Sequence, residues 1–329
     1  MNCRKNGSDK SMKLSVIVPC YNEESNISPF VEEIEAVKGK MHKDTDWELI
    51  FVNDGSIDKT FEKILELSEK HQYIKYICFS RNFGKEAAML AGLEAASGDY
   101  IVIIDADLQD PPSLIPEMFE LISTGKYDRI ATRRNDRKGE PVIRSFFARL
   151  FYKLINKISD VKIVDGARDF SMMTRRMVNS ILSLNERSRF TKGIFEWAGY
   201  NTYWISFSNN ERNKGASKWS FAKLFRYSIE GIVSFSSMPL VISSVIGLFL
   251  CFFSFFMIAV VIIKKVFFGD PVDGWSSLVC IILFVSGLQQ LGIGVLGSYL
   301  SRVFIEAKQR PMYVVKDTNI SQGEKNGLN

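Results

Sequence analysis

The chain has 329 residues, a formal net charge of +5 and 24% charged residues, which suits one large domain with attachments or two ordinary domains. Its five cysteines form no C-x-x-C pair and it has two histidines, so a disulfide framework, a zinc site and a Ser-His-Asp site are all disfavoured. Residues 1–12 are polar and lack the apolar run of a signal peptide, so we expect a flexible segment and a cytosolic domain after it.

Four short runs rich in apolar and β-branched residues come next, separated by stretches with helical spacing. The runs are Leu14–Val18, Trp47–Val52, Ile74–Phe79 and Tyr100–Ile104. Strands that alternate with helices in this way predict an α/β fold with a mainly parallel sheet covered on both faces. Ligands of such sheets bind at the carboxyl ends of the strands.

Polar residues follow each of these predicted strands. The segments are P-C-Y-N-E-E from Pro19, N-D-G-S from Asn53, S-R-N-F-G-K-E from Ser80 and D-A-D-L-Q-D-P-P from Asp105. Any one of them is compatible with ordinary turn and helix-cap chemistry. Together, at one edge of the sheet, they predict a site for a polar ligand that carries phosphate.

The last segment places three acids within six residues. Asp105 and Asp107 leave a buried strand two residues apart and can approach one divalent ion, with Gln109 as a neutral oxygen nearby. Magnesium usually binds through one or two carboxylates plus substrate phosphates. Asp110 stands before two prolines, where we expect it to cap the next helix.

Two basic, aromatic-rich stretches have the spacing of amphipathic helices. Residues 143–158 carry apolar side chains on one helical face and basic side chains elsewhere around the helix. This helix is either buried or lies in the membrane interface, and the composition favours the interface. Residues 221–237 predict a second interfacial helix next to the membrane.

Two long stretches without charge follow, at residues 239–263 and 275–300. Each exceeds the roughly 20 apolar residues that cross a bilayer, so we expect a transmembrane hairpin. Basic residues flank its outer ends, which predicts a multi-pass protein of the cell membrane with both termini and the tail at 301–329 in the cytosol. A G-x-G-x-x-G sequence from Gly292 lies inside the second span, where it indicates helix packing and a possible homo-oligomer.

The motifs named above, with G-A-R-D-F-S-M-M from Gly166 and R-N-K-G-A-S-K-W from Arg212, resemble family 2 glycosyltransferases of the nucleotide-diphospho-sugar (GT-A) fold. Within that family they are most similar to bacterial polyprenyl-phosphate glycosyltransferases, which are related to dolichol-phosphate mannose synthase. The resemblance runs in order from Val16 to Leu240 and includes the two spans. It implies a cytosolic GT-A catalytic domain at residues 13–220.

The resemblance also implies a role for individual residues. Contacts to a nucleotide-sugar are implied for Pro19, Tyr21, Asn22, Glu23, Asp54, Lys85, Asp105, Ala106, Arg212 and Lys218. A site for Mg²⁺ or Mn²⁺ is implied at Asp105, Asp107 and Gln109, and contacts to the acceptor phosphate at Arg134, Arg137 and Arg144. Asn53 and Ser171 depart from the family, which often has an acid and an arginine at these positions.

Asp169 matches an acid that is often proposed as the catalytic base in relatives. A lipid monophosphate is already largely a dianion at neutral pH, so a base is not compulsory. Asp169 therefore acts either as a base or as an electrostatic partner of the developing positive charge. The alternative without a catalytic role is a local ion pair with Arg168.

The expected reaction is the inverting transfer of one sugar from a UDP-sugar to undecaprenyl phosphate at the cytosolic face of the bilayer. Glucose and N-acetylglucosamine are the favoured sugars, the product would serve cell-envelope glycan modification, and no nucleic-acid partner is expected. A processive polysaccharide synthase is the alternative, although Glu186–Phe190 only faintly resembles the Q-x-x-R-W segment of those enzymes and two spans leave little from which to build a secretion channel. A catalytically silent nucleotide-sugar sensor is the third hypothesis.

Overall fold

The structure is a computed structural model that describes residues 12–41, 44–134, 164, 166–207, 236, 238–268 and 274–321. These residues divide into two compact units. The first contains the described residues up to 207 and residues 310–321, and the second contains residue 236 and residues 238–309 as far as they are described. The predicted interfacial helix at 143–158 and residues 221–235 of the other lie outside the described residues.

A mixed sheet forms the centre of the first unit. In the described part of the chain it has eight strands in the order β7-β5-β6-β4-β1-β2-β3-β8. The strands are β1 (Lys13–Cys20), β2 (Asp46–Asn53), β3 (Ile74–Phe79), β4 (Tyr100–Ile103), β5 (Arg129–Arg134), β6 (Ala167–Thr174), β7 (Thr202–Phe207) and β8 (Val315–Thr318). Strands β4, β1, β2 and β3 are parallel neighbours, which confirms the four predicted strands.

Helices cover this sheet because the strands are apolar on both faces. They are α1 (Ile27–Lys38), α2 (Thr60–Lys70), α3 (Lys85–Ala95), α4 (Ile115–Ser123), α5 (Arg175–Leu182) and α6 (Thr191–Trp197). In α1 the buried residues follow helical spacing, with Ile27, Phe30, Val31 and Ile34 on one face. Helix α3 packs so closely that a Cβ on Gly92 would lie 2.2 Å from Ile17 Cγ2.

The order of the strands places a crevice beside β1. From β1 the chain proceeds to β2 and β3 on one side and then crosses to β4 on the other. Parallel sheets bind ligands at such a reversal, outside the carboxyl ends of the strands. Strand β6 runs antiparallel to β4 with Ser171 opposite Ile103, so the beginning of β6 lies beside the end of β4. This register brings Asp169 next to the D-A-D-L-Q-D segment.

The C-terminal segment of the chain completes the sheet of the first unit. Strand β8 pairs antiparallel with β3, and the Tyr313 ring stacks on Phe79 at 4.8 Å between centroids. The Asn319 side chain accepts from the Tyr76 N–H at 2.8 Å and donates to the Ile74 carbonyl at 3.1 Å. The sequence predicted a tail over 301–329, whereas the structure makes residues 315–318 an edge strand.

Two long helices, α7 (Met238–Phe268) and α8 (Trp275–Lys308), make up the second unit. Within α7, residues Met238–Met257 are long and apolar enough to cross a bilayer, and none of that segment is buried. By the same measure, no second helix qualifies in the part of the chain that the structure describes. The predicted hairpin therefore stays a prediction.

Candidate active site

The loops that follow β1 and β2 are bound to each other at the carboxyl edge of the sheet. The Asn22 N–H donates to Ser56 Oγ at 3.0 Å, and the Ile57 N–H donates to Asn22 Oδ1 at 3.0 Å. The Glu23 N–H donates to Thr60 Oγ1 at 2.9 Å. Asn22 has a φ of 55°, a left-handed conformation that asparagine adopts more readily than most residues. These bonds hold the P-C-Y-N-E-E and N-D-G-S segments together as one surface.

Predicted contact residues in the first of these loops differ in their exposure. Pro19 lies in β1, where it is buried and opposite Val52. The Tyr21 side chain is 40% exposed at the loop. Tyr21 is therefore open to a ligand, whereas Pro19 shapes the backbone beneath it.

The loops after β2 and β3 are joined by the carboxylate of Asp54. This side chain is buried, and its oxygens accept from the N–H groups of Phe83 at 2.7 Å and Gly84 at 3.0 Å. Burial raises the pKa of Asp54, and the two N–H donors oppose that rise. Gly55 has a φ of 64°, and a Cβ there would lie 2.3 Å from the carbonyl carbon of Arg81. Asp54 and Gly55 thus fix the course of the S-R-N-F-G-K-E loop.

That loop places Lys85, the first residue of α3, beside the end of β4 and the start of β6. Lys85 Nζ lies 2.6 Å from Asp105 Oδ1 and 2.8 Å from Asp105 Oδ2. It also lies 2.5 Å from Asp169 Oδ2. Asp105 follows β4 and Asp169 lies near the start of β6, so carboxylates from two separate segments meet at one ammonium group. The structure thus brings together residues predicted to bind the nucleotide-sugar and the metal with the residue predicted to act in catalysis.

Asp169 also has a second cationic neighbour, which sequence reasoning missed. Lys192 Nζ lies 3.8 Å from Asp169 Oδ1 and donates to the Ala167 carbonyl at 2.9 Å. Burial would raise the pKa of Asp169, but the charges of Lys85 and Lys192 hold it well below its usual range. Burial would likewise lower the pKa of Lys85, but Asp105 and Asp169 raise it above its usual range. At neutral pH Lys85 and Asp169 are therefore both charged, and Asp169 is a weak proton acceptor.

The prediction that Asp110 caps a helix is wrong. A 3₁₀ turn at Pro112–Leu114 precedes α4, and neither element has a side-chain cap. Asp110 is buried and accepts from Arg168 Nε at 2.8 Å and Nη2 at 3.2 Å. This two-point pairing of guanidinium and carboxylate outweighs a cap at an exposed turn. Arg168 thus pairs with Asp110 and not with Asp169, so the ion pair between Arg168 and Asp169 that was the non-catalytic alternative does not form.

The D-A-D-L-Q-D segment has the donors of a divalent-cation site that substrate phosphates would complete. Asp107 Oδ1 accepts from the Gln109 N–H at 3.1 Å, which bends the segment, and Ala106 is buried beneath it. The ammonium of Lys85 already places a positive charge against both oxygens of Asp105. Among the described residues, no group of three or more His, Cys, Asp and Glu side chains could hold a metal ion. Two carboxylates plus phosphate oxygens are a common Mg²⁺ ligand set, so the residues fit such an ion.

Of the remaining predicted site residues, the structure describes Arg134. Arg134 ends β5, where its backbone lies opposite Phe207. Four further predicted residues lie outside the described ranges, namely Arg137, Arg144, Arg212 and Lys218. Their predicted contacts to phosphate stay predictions.

The segment that faintly resembles Q-x-x-R-W has a structural use in this chain. Arg189 donates to the Leu184 carbonyl at 2.8 Å and to the Ile181 carbonyl at 3.2 Å, at the C-terminal end of α5. The arginine that carried the resemblance is thus bound to carbonyl groups of its own domain.

Comparisons with known proteins agree with this geometry. The profile of Glycosyl transferase family 2 matches residues 15–182, about half of the chain. A bactoprenol glucosyl transferase of Shigella phage SfV is 42% identical over 306 residues, which cover 93% of this chain and 99% of that protein. The Bacillus subtilis (strain 168) protein CsbB, provisionally named a glycosyltransferase, is 40% identical over 307 residues, covering 93% and 92%.

Among solved structures, the chain matches glucosyl-3-phosphoglycerate synthase from Mycobacterium tuberculosis in complex with Mn²⁺, uridine-diphosphate-glucose and phosphoglyceric acid. It matches with a TM-score of 0.45 and 20% identity, over 68% of this chain and 78% of that one. The match to the family profile and the alignment of the two relatives over 93% of this chain assign the family. The chain belongs to glycosyl transferase family 2, and it is a glycosyltransferase of the GT-A fold.

Proposed function

We propose that this glycosyltransferase moves one sugar from a UDP-sugar to undecaprenyl phosphate at the cytosolic face of the membrane, with inversion. The observation that carries the proposal is the cluster in which Lys85 contacts both Asp105, after β4, and Asp169, near the start of β6. The cluster belongs to a chain that aligns over 93% of its length with a bactoprenol glucosyl transferase, and bactoprenol is another name for undecaprenol. Glucose is therefore the first donor sugar to test.

On the donor side, the joined loops after β1 and β2 would hold the nucleoside. Tyr21 is exposed there to stack on the base, and Asn22 and Glu23 line the same surface. Asp105 and Asp107, with Gln109, would hold Mg²⁺ or Mn²⁺ against the diphosphate. When bound, such an ion supplies positive charge where the leaving diphosphate becomes more negative.

We propose that Lys85 contacts the nucleotide-sugar directly and that Asp54 supports the donor side indirectly. Asp54 uses its carboxylate to fix the loop that carries Lys85, so it would shape the nucleotide site through the backbone. Ala106 is buried next to Asp105, where its backbone would face the donor. Arg212 and Lys218 are proposed to close over the diphosphate.

On the acceptor side, Asp169 would act by its charge and not by taking a proton. Lys85 and Lys192 keep its carboxylate ionised, and a lipid monophosphate needs little help to become a nucleophile. A carboxylate at this position stabilises the positive charge that develops at the anomeric carbon. We propose that Arg134, Arg137 and Arg144 bind the phosphate of the acceptor.

The remaining segments would keep the enzyme at the bilayer. We propose that α7 and α8 form a transmembrane hairpin and that residues 143–158 and 221–237 lie in the interface, with both termini cytosolic. The apolar, exposed segment Met238–Met257 supports the first span. In this arrangement the catalytic domain comprises residues 13–220 together with the C-terminal strand. Small residues of α8 such as Gly294 and Ser298 would suit contacts in a homo-oligomer.

A donor panel tests this function. Purified protein with Mg²⁺ or Mn²⁺, undecaprenyl phosphate and one radiolabelled UDP-sugar at a time is expected to give a single chloroform-soluble glycolipid. Long polymer would instead support the processive synthase. No turnover with any donor would support the silent sensor and refute the proposal.

A further inference from the structure

Lys85 occupies the face of Asp105 that a divalent ion would use. Its ammonium group lies 2.6 and 2.8 Å from the two carboxylate oxygens, so it pairs with both of them at once. The same group lies 2.5 Å from Asp169, which holds it between the two acids. An ion that binds Asp105 with both oxygens cannot share that face with an ammonium group. The two cations therefore compete for one carboxylate.

The competition has a defined outcome because Lys85 has a second partner. If the ammonium group leaves Asp105, its contact with Asp169 remains available, and so the lysine does not lose all its compensation. The Lys85 side chain is 40% exposed and the Asp105 side chain 26% exposed, so water and ions can reach the pair. An ion that arrives with bound phosphate oxygens can therefore reach Asp105 and compete with the ammonium group for it.

We propose that Lys85 occupies the metal position on Asp105 in the donor-free enzyme, and that it yields this position when the nucleotide diphosphate brings a divalent ion. Lys85 thus makes binding of the metal depend on the donor. This inference rests on the proposed function, because it needs a donor with a diphosphate. It assigns Lys85 a positioning role that a simple contact to the nucleotide-sugar does not include.

A linkage between metal and nucleotide follows directly. Without nucleotide, an incoming ion must displace Lys85 and gains only two carboxylates. With a nucleoside diphosphate present, phosphate oxygens complete the coordination shell and favour the exchange. The nucleotide therefore raises the affinity for the metal, and by reciprocity the metal raises the affinity for the nucleotide by the same factor.

The test measures Mn²⁺ binding to the full-length protein in detergent, from the electron paramagnetic resonance signal of free Mn²⁺, with and without UDP. Mn²⁺ held by free UDP is subtracted. In Lys85→Met, the affinity for Mn²⁺ without UDP is expected to rise about tenfold, and the factor by which UDP raises it is expected to fall equally. Lys85→Gln is expected to behave in the same way, and Lys85→Arg is expected to remain like the unmodified protein.

Lys192→Met is the matched control. The substitution removes the ammonium group near Oδ1 of Asp169. It leaves the pair between Lys85 and Asp105 in place. Its affinity for Mn²⁺ without UDP is expected to change by less than about threefold. Adding Asp105→Asn to Lys85→Met is expected to abolish the gain, which places the extra ion at this site.

Two results would overturn the inference. One is an unchanged Mn²⁺ affinity in folded Lys85→Met and Lys85→Gln, with folding checked by thermal unfolding. The other is an equal gain in Lys192→Met, which would show a general effect of charge. A donor panel without turnover would refute the proposed function, whereas these binding results would still decide the role of Lys85.

Discussion

The bond between Asp110 and Arg168 gives a stability prediction that separates the observed pairing from a helix cap. Asp110 has a 1% exposed side chain and binds Arg168 through contacts of 2.8 and 3.2 Å. Removing one partner of a buried pair costs about 3–5 kcal/mol. Since the Arg168 side chain is 25% exposed, water can replace part of the lost contact. We therefore expect Asp110→Ala to lower the free energy of unfolding by about 2–3 kcal/mol.

The double-mutant cycle with Arg168→Met is the informative experiment. If the two residues stabilise each other, the cost of the double variant is smaller than the sum of the single costs, by about 2 kcal/mol. Native-state hydrogen exchange, measured by mass spectrometry on peptides from β4 and β6, reports the local free energy of opening. Both strands are expected to lose protection in Asp110→Ala.

A helix cap would give a different pattern. Loss of a cap costs about 1 kcal/mol and does not depend on Arg168. Additive costs, with lost protection confined to α4, would thus refute the pairing. They would also reopen the possibility that Arg168 is available to Asp169.

Two further predictions concern other parts of the first unit. Burial opposes ionisation of Glu48, but bonds from Ser15, Ser97 and Lys13 lower its pKa below the ordinary 4.5. The contribution of the Glu48 carboxylate to the free energy of unfolding is therefore present above pH 4.5 and lost as the pH falls. Glu48→Gln should therefore flatten the loss of stability below pH 4.5 in unfolding measurements; an unchanged acid limb would contradict this. Asn319→Ala should cost about 1–2 kcal/mol and expose the β3 amides to exchange, unlike Lys316→Ala; equal protection in both variants would refute the role of the C-terminal strand.

The central strands were predictable because each is a continuous apolar run. Strands β1 to β4 are buried on both faces, and that pattern is visible in one sequence. Strand β6 reads A-R-D-F-S-M-M-T, which mixes charged and apolar residues because its start contributes to the site. Strand β8 has four residues and pairs with β3 from more than 230 residues away. Local patterns do not encode pairings over such distances.

The sequence predicted which residues belong to the candidate site better than it predicted which side chains they contact. The sequence placed Lys85 and Asp105 after predicted strands, the family resemblance added Asp169, and the order of the strands brings the three together. The error at Asp110 arose because acids before prolines are also common at helix starts, whereas its actual partner lies 58 residues away. Lys192 follows no local pattern, and it became apparent only through its distance to Asp169.

The proposed function requires Asp105 to take part in transfer of a sugar to a lipid phosphate. The direct measurement is the initial rate at which labelled sugar passes from a UDP-sugar to undecaprenyl phosphate, in Asp105→Asn and in the control Asp46→Asn. Asp46 is an exposed acid at the start of β2, at the opposite edge of the sheet. We expect at least about a hundredfold loss in Asp105→Asn, because charge stabilisation of the leaving diphosphate is removed, and an unchanged rate in Asp46→Asn. Turnover of Asp105→Asn at the rate of the unmodified enzyme would show that Asp105 has no such role.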